Sequence, residues 1–290
     1  MLLLLSVIPF VTTNRLTDQE NEELKNYCGK HGTGIHQPGY TKMGVAPWAV
    51  GMSSYDDQTR GSGTIISPYH IVTAAHVVPH LCDGPDGELS EIRVFLNTSC
   101  PFGDSGCQSV NDGFVQKKIK NFYKPEDYND ALCWGSVVYD YGIIELEEKI
   151  EFSEWIWPAC MPRKSEENDR RKIPYAVNFG YGSRIHDRWE HSLHSMEMHE
   201  EDCRFDDSFH KIKLDGICMY SNVNGTFSCN GDSGSGLMVK RDDGRFEVVG
   251  TLSGTSNDCE NVIPERDMAN VYQRLRSHYD FICEVANVCP

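Results

Sequence analysis

The chain has no long apolar run, no CxxC pair, no His/Cys cluster at zinc spacing, no internal repeat and a deficit of positive charge. Its apolar opening, Met1-Leu2-Leu3-Leu4-Leu5-Ser6-Val7-Ile8-Pro9-Phe10-Val11, is too short to cross a bilayer, so no membrane span is expected. That stretch lacks a basic start and reads either as a secretory signal, over residues 1–16, or as a buried N-terminal segment. Lys and Arg number 27 against 43 Asp and Glu, a net charge of −16, which excludes nucleic acid and anionic membranes as partners held by bulk electrostatics. Twelve cysteines without metal-binding spacing indicate a disulfide framework made in an oxidising compartment, which favours secretion over a buried first segment. His186, His191, His194 and His199 do not fall on one helix face, so neither a metal nor another cofactor is expected. Asn97-Thr98-Ser99 and Asn224-Gly225-Thr226 are glycosylation sequons, compatible with an extracellular protein.

What is present is enough for a folded chain: 290 residues, 39% hydrophobic, can bury two small cores. Residues 17–34 are an acidic leader, read as a short surface helix or propeptide-like segment without catalytic groups. From Pro47 onward, short β-rich runs alternate with Gly, Pro and Asp clusters, as in an all-β barrel or sandwich. Residues 79–130 carry Cys82, Cys100, Cys107 and many turn residues, and read as a stapled surface insertion. The polar stretch 147–174 reads as a crossover between two units. Leu237 to Leu252 around Asp242-Asp243-Gly244 predicts a hairpin, and Val271, Leu275, Tyr279 and Ile282 recur at helical spacing, which predicts a C-terminal helix.

The chemistry is carried by Ser228-Cys229-Asn230-Gly231-Asp232-Ser233-Gly234-Ser235-Gly236. Glycines around a serine let the backbone turn tightly and present the hydroxyl, with main-chain N–H groups converging where an oxyanion would form; Gly231 and Ser233 would supply them. The plainer reading is a Gly/Ser surface loop ahead of Leu237-Met238-Val239. Two upstream strand ends favour the first: Val72-Thr73-Ala74-Ala75-His76 and Asp140-Tyr141-Gly142-Ile143-Ile144-Glu145-Leu146 each carry one reactive group. A serine hydroxyl needs an imidazole to take its proton and a carboxylate to fix the imidazole tautomer, roles that His76 and Asp140 fit for Ser233.

The order His, Asp, Ser is that of chymotrypsin-like enzymes, and from roughly Gly44 to the C-terminus the chain resembles the trypsin and chymotrypsin family of serine proteases. Pro47-Trp48-Ala49-Val50, Gly61-Ser62-Gly63-Thr64-Ile65-Ile66, Gly180-Tyr181-Gly182 and Ala269-Asn270-Val271-Tyr272 look like further family segments, and the branch most similar is that of nematode trypsin-like secreted proteins. The resemblance implies an all-β fold of two six-stranded Greek-key β-barrels packed together with a C-terminal helix. The protease domain would occupy 35–290, with the first barrel at about 44–150, a crossover at about 151–174 and the second barrel at about 175–290. It implies a secreted serine endopeptidase acting on protein or peptide substrates without cofactor, with protein protease inhibitors as possible partners. A catalytically silent binding protein on the same scaffold is the alternative. It also implies the disulfides Cys28–Cys160, Cys203–Cys218 and Cys229–Cys259, a bond from Ser253 to Asp140, and substrate-pocket positions at Phe227, Ser253, Thr255 and Asn270. The pairing of Cys82, Cys100, Cys107, Cys133, Cys283 and Cys289 stays open.

Three departures from the family pattern stand out. Gly61 and Val77 occupy positions where most relatives carry a disulfide beside the histidine. Phe227 stands where trypsins place an acid, and Thr255 and Asn270 stand where many relatives have glycine, which predicts a narrow pocket for small apolar side chains. Asp232 is the acid that, in the family, receives the ammonium of a new N-terminus after activating cleavage. Here the aligned position falls near Ile35, with Gly34 before it and His36-Gln37-Pro38 after it, so an atypical cut near Gly34 is the expectation, ahead of another cation serving Asp232 or a disordered oxyanion turn.

Overall fold

Short β-branched and apolar runs broken by Gly, Ser and Pro give this chain strands rather than helices. A computed structural model describes residues 13–34, 41–42, 44–54, 60–78, 89–101, 114–128, 139–163, 171–184, 187–203, 216–223, 226–255 and 269–289. In chain order, β1 (Ala49–Ser54), β2 (Arg60–Ile65), β3 (His70–Thr73), β4 (Ile92–Leu96), β5 (Val115–Tyr123) and β6 (Gly142–Leu146) close into an antiparallel barrel of order β1-β2-β3-β6-β5-β4. After the crossover come β7 (Ala176–Gly180), a separate hairpin of β8 (Ser183–Arg184) and β9 (Asp187–His191), then β10 (His194–Glu201), β11 (Gly216–Ser221), β12 (Gly236–Lys240), β13 (Phe246–Thr255) and β14 (Asn270–Arg274). The second barrel closes as β10-β11-β14-β13-β12-β7. Read from β7, this repeats the strand order of the first barrel: three strands in sequence, then the last three in reverse, a Greek-key connection in each. The all-β, two-barrel expectation is met.

Each barrel has its own apolar interior. Val50, Met52, Ile65, Ile71, Val94, Leu96, Ile144 and Leu146 fill the first, and Met196, Met198, Ile217, Met219, Leu237, Val249, Leu252 and Tyr272 the second. A third cluster lies between them, where Trp48, Ile66, Val72 and Ile143 meet Val177, Phe179, Met238 and Val248. The ring of Trp48 stands edge-on to Phe179, with centroids 6.0 Å apart and an interplanar angle of 81°.

The stretch 79–130 is more than a surface insertion, because it supplies β4 and β5. In β5, Lys117, Lys118 and Lys120 interrupt the apolar Val115, Ile119 and Phe122, so no clean alternation marks this barrel strand. The C-terminal helix is also shorter than its spacing predicts. Val271 belongs to β14, whose backbone pairs with both β11 and β13, Leu275 lies in a 3-10 turn, and α2 runs only from Tyr279 to Ala286. The hairpin expectation holds: β12 pairs with β13 across a turn in which Gly244 has φ +82°.

The leader is packed rather than free at the surface. Its helix, α1 (Asp18–Tyr27), starts with a reciprocal capping box in which Thr17 Oγ1 accepts from Glu20 N at 3.2 Å and Glu20 Oε2 accepts from Thr17 N at 2.8 Å. Leu16 and Leu24 are buried in the inter-barrel cluster with Ile282 and Ala286 of α2. Leu16 N donates to Ala286 O at 3.1 Å, Asn21 Nδ2 to Cys289 O at 2.9 Å, and Cys289 N to Asn21 Oδ1 at 3.1 Å. Cys28 is disulfide-bonded to Cys160 of the crossover, as the resemblance implies, and Cys203 to Cys218. Cys283 with Cys289 is a third pair, which sequence reasoning left open. Cys100 and Cys229 are also disulfide-bonded, while Cys82, Cys107, Cys133 and Cys259 lie outside the described residues, as does the sequon residue Asn224. Asn97, of the other sequon, is half-buried just after β4 with φ +56°.

The Cys28–Cys160 bridge spans 132 residues, and a loop of that size restricts the unfolded chain by about 2–5 kcal/mol. Replacing both with serine should lower the unfolding free energy by that order in denaturant titration, with α1 the first segment to lose amide-exchange protection.

Candidate active site

The antiparallel pairing of β3 with β6 sets Thr73 against Gly142, so the chain segments just beyond these two strand ends are neighbours. His76 sits in the 3-10 turn Ala75–Val77 that follows β3, and Asp140 lies just before β6. Asp140 is fully buried and grips the histidine twice: Oδ1 accepts from the His76 backbone N–H at 3.0 Å, and Oδ2 lies 2.7 Å from His76 Nδ1. A carboxylate only accepts, so Nδ1 carries the proton and Nε2 is left as the basic nitrogen. Burial of His76 opposes its charging, but the Asp140 charge and hydrogen bond outweigh that and hold the imidazole above its ordinary pKa. The aspartate is itself framed by Tyr139, whose backbone is left-handed at φ +56°, and by Tyr141, whose ring stacks on His278 at 4.0 Å.

Ser233 belongs to the second barrel, in the turn that leads into β12. Two left-handed glycines shape it, Gly231 with φ +96° and Gly234 with φ +81°. Gly234 has no room for a side chain: a Cβ there would fall 2.1 Å from Thr73 Oγ1 and 2.3 Å from Ser62 O. That close approach seats the turn on the strand end that carries His76. Ser62, between Gly61 and Gly63 on β2, joins the barrels, because its N–H donates to Ser233 O at 2.8 Å and its hydroxyl to Gly231 O at 2.8 Å. Its carbonyl in turn accepts from Thr73 Oγ1 at 2.7 Å, and its Oγ accepts from Tyr181 N at 3.0 Å. Sequence reasoning saw this segment only as the strand leading to the histidine; a serine between two glycines was the available signal.

The turn is closed from behind as well. Gly234 N donates to Leu252 O at 2.8 Å, Ser235 N to Asp232 O at 2.9 Å, and Thr251 Oγ1 to Gly234 O at 3.1 Å. Asp232 is fully buried: Oδ1 accepts from Gly182 N at 2.8 Å, Oδ2 accepts from Cys229 N at 2.9 Å, and His194 Nε2 lies 3.2 Å from Oδ1.

At the pocket positions, Phe227 and Asn270 are buried, and Thr255 of β13 stands opposite Asn270 of β14 in the strand register. Asn270 Oδ1 accepts from Ser228 N at 2.8 Å and Ser228 Oγ at 2.6 Å, while its Nδ2 donates to Met219 O at 3.2 Å. Ser253 departs from the expectation: its hydroxyl accepts from Gln273 Nε2 at 3.3 Å, and the bonds shown to the Asp140 carboxylate come from His76. Ser253 sits where β13 shifts register, between Leu252 and Gly254. Where relatives carry a disulfide beside the histidine, Gly61 and Val77 are in contact, and a Cβ on Gly61 would lie 2.2 Å from Val77 Cγ1.

His199 pairs with Asn222 and Glu201, and among the described residues no three His, Cys, Asp or Glu gather as a metal site. His186 lies outside the described residues.

Comparison with known proteins agrees with this arrangement. The chain is 27% identical over 246 residues to chymotrypsin-C of Rattus norvegicus, covering 82% of this chain and 83% of that protein. It is 24% identical over 259 residues to a venom protease of Bombus pensylvanicus, covering 82% of this chain and 93% of that protein. It is also 24% identical over 262 residues to mannan-binding lectin serine protease 1 of Homo sapiens, covering 85% of this chain and 35% of that larger protein. The sequence profile of the trypsin family matches residues 38–282, so the chain belongs to the trypsin family of serine proteases.

Proposed function

We propose that this member of the trypsin family is a secreted serine endopeptidase working through Ser233, His76 and Asp140. The observation that carries the reading is the fully buried Asp140 bound at 2.7 Å to His76 Nδ1, which leaves Nε2 as the basic nitrogen. Ser233 Oγ attacks the scissile carbonyl as His76 Nε2 takes its proton, and the Gly231 and Ser233 N–H groups receive the oxyanion. His76 then protonates the leaving amine, and a water molecule, deprotonated by the same nitrogen, hydrolyses the acyl-enzyme. Secretion is supported by the disulfides of the described residues and by the apolar opening of the chain. The same surface that takes substrate would take protein protease inhibitors.

The pocket supports small apolar side chains at the cleaved position. Phe227 offers no carboxylate to a buried cation, and the Asn270 side chain, tied to Ser228 and Met219, takes up room that a glycine would leave open.

Labelling with an organophosphonate tests the nucleophile directly: adduct on Ser233 is expected, and a folded protein that forms none would instead be a silent scaffold. Ser233→Ala and His76→Ala should reduce hydrolysis to a common floor, since the groups act as one unit. Asp140→Asn should cost about 10⁴-fold. Because Asp140 raises the His76 pKa, the neutral base appears only as pH rises, so kcat/KM should climb with a midpoint above the ordinary value of about 6.5. A midpoint at or below that value would contradict the coupling.

In a peptide-library profile, cleavage after small apolar residues should dominate and cleavage after Arg or Lys should be poor; a profile led by Arg or Lys would refute this pocket. Asn270→Gly should shift preference towards larger side chains by roughly tenfold or more in kcat/KM.

A further inference from the structure

Asp232 is a fully buried carboxylate inside the nucleophile turn, between the two residues whose N–H groups would bind the oxyanion. Such a group demands a compensating charge, because an unpaired buried ion costs several kcal/mol and would drive the turn to rearrange. The chain builds a cradle for it from two glycines. A Cβ at Gly180 would fall 2.1 Å from Asp232 Oδ1, and one at Gly182 would fall 2.3 Å from Oδ2. Opposite Gly180 in the β7–β10 register stands His194, with Nε2 at 3.2 Å from Asp232 Oδ1 and a side chain only 14% exposed.

The protonation of His194 follows from what its two nitrogens face. Nε2 meets the carboxylate, and Nδ1 lies 3.0 Å from the Ser192 carbonyl oxygen, which can only accept. The carbonyl places a proton on Nδ1, and a second proton on Nε2 would make the ring an imidazolium within ion-pair distance of the carboxylate. Among the described residues no Lys or Arg pairs with Asp232. Tyr272 of β14 faces the same region, but burial and then the Asp232 charge push its phenol well above its ordinary range, so it stays neutral and turns its hydroxyl to Met198 Sδ at 3.3 Å. His194 is itself fixed from both sides in sequence, with Thr41 N donating to Leu193 O at 2.9 Å and Thr41 Oγ1 bonding Ser195 Oγ at 3.4 Å.

Among the described residues the leader places no cation on Asp232. It is anchored as far as Gly34, by Cys28–Cys160, by Gly29 N to Pro158 O at 2.8 Å, and by Thr33 N and Gly34 N to Val45 O at 3.1 and 2.9 Å.

We propose that His194 is a positioning residue whose imidazolium serves Asp232 as a built-in counter-charge, holding the Gly231–Ser233 turn ready in the uncut chain, with no new N-terminus required. This displaces the expectation of an atypical cut near Gly34, and it rests on the serine peptidase reading. His194 acts on the oxyanion-binding N–H groups through Asp232 and touches no reacting atom.

The test uses the full secreted chain, shown by N-terminal sequencing to have a single N-terminus ahead of residue 35, because Cys28–Cys160 would hold a cut leader in place. Uncut wild type should label at Ser233 with the organophosphonate and cleave a small apolar peptide. His194→Gln should lower the labelling rate and kcat by on the order of 10²-fold with KM little changed, the size of effect seen when an oxyanion donor is lost. His194→Lys, which restores a cation, should recover most of the rate. Melting temperatures of the variants separate loss of order in the turn from loss of fold. Ring-nitrogen NMR of His194 in folded wild type gives a measurement free of mutation, with both nitrogens protonated at pH 7 expected. Labelling of wild type only after cleavage between residues 34 and 41, His194→Gln labelling at the wild-type rate, or a neutral His194 ring would each overturn the proposal while leaving the peptidase reading standing. Failure of both cut and uncut folded protein to label would overturn both together.

Discussion

The candidate site depends on one constraint: its base and its nucleophile come from different barrels, so the seam between the barrels must hold its registry to within a hydrogen bond. Ser62 spans that seam, giving its N–H to Ser233 O and its hydroxyl to Gly231 O while its carbonyl accepts from Thr73. The packing beneath it is apolar and tight, with Trp48, Val72 and Ile143 against Phe179, Met238 and Val248. Close-packed interiors transmit displacement instead of absorbing it, so a shift anywhere along this layer would reach the Ser233 turn. Glycine at 234 lets the turn touch Thr73, and any side chain there would push the barrels apart.

The leader and the C-terminus act on the same seam from outside. Leu16 and Leu24 extend the apolar cluster between the barrels, α2 covers it with Ile282 and Ala286, and the disulfide Cys28–Cys160 ties the leader to the crossover. The N-terminal strap also reaches the first barrel, where Asn14 donates to Glu145. Glu145 is nearly inaccessible, and burial alone would raise its pKa; hydrogen bonds from Asn121, Asn14, Tyr123 and Lys120 reverse that and hold it low. Among the described residues the buried carboxylates lie where partners are fixed in advance, Glu145 beside Asn121 and Tyr123, Glu247 beside Arg241, Asp140 beside His76 and Asp232 beside His194.

Much of the site was legible before any coordinates. The residue types at His76, Asp140 and Ser233, each at a strand end or tight turn, are those that serine chemistry calls for, their order is that of the resembled family, and local composition marked the glycine-rich turn, the Asp242–Gly244 hairpin and the even cysteine count. Local pattern failed where tertiary pairing overrode it. β5 was hidden by lysines that break its apolar alternation, Val271 was claimed by strand partners on both sides, and the Ser253 hydroxyl found Gln273 as its partner. Even the duplication was invisible, since the two barrels share a strand order without sharing residues.

By itself the sequence determined the all-β class, the candidate reactive groups and the acid within the Ser233 turn, because these depend on residue type and short spacing. Only the tertiary structure decided what that acid would meet. His194 stands apart from Asp232 in the chain and looked like one of several scattered histidines, yet the antiparallel register of β10 with β7 sets it opposite Gly180, whose missing side chain lets the Asp232 carboxylate approach. Ser62 likewise gained its role only when β2 came to lie against the turn of the other barrel. Contacts between residues far apart in sequence are fixed by how strands pair and how barrels dock, and no local pattern encodes them.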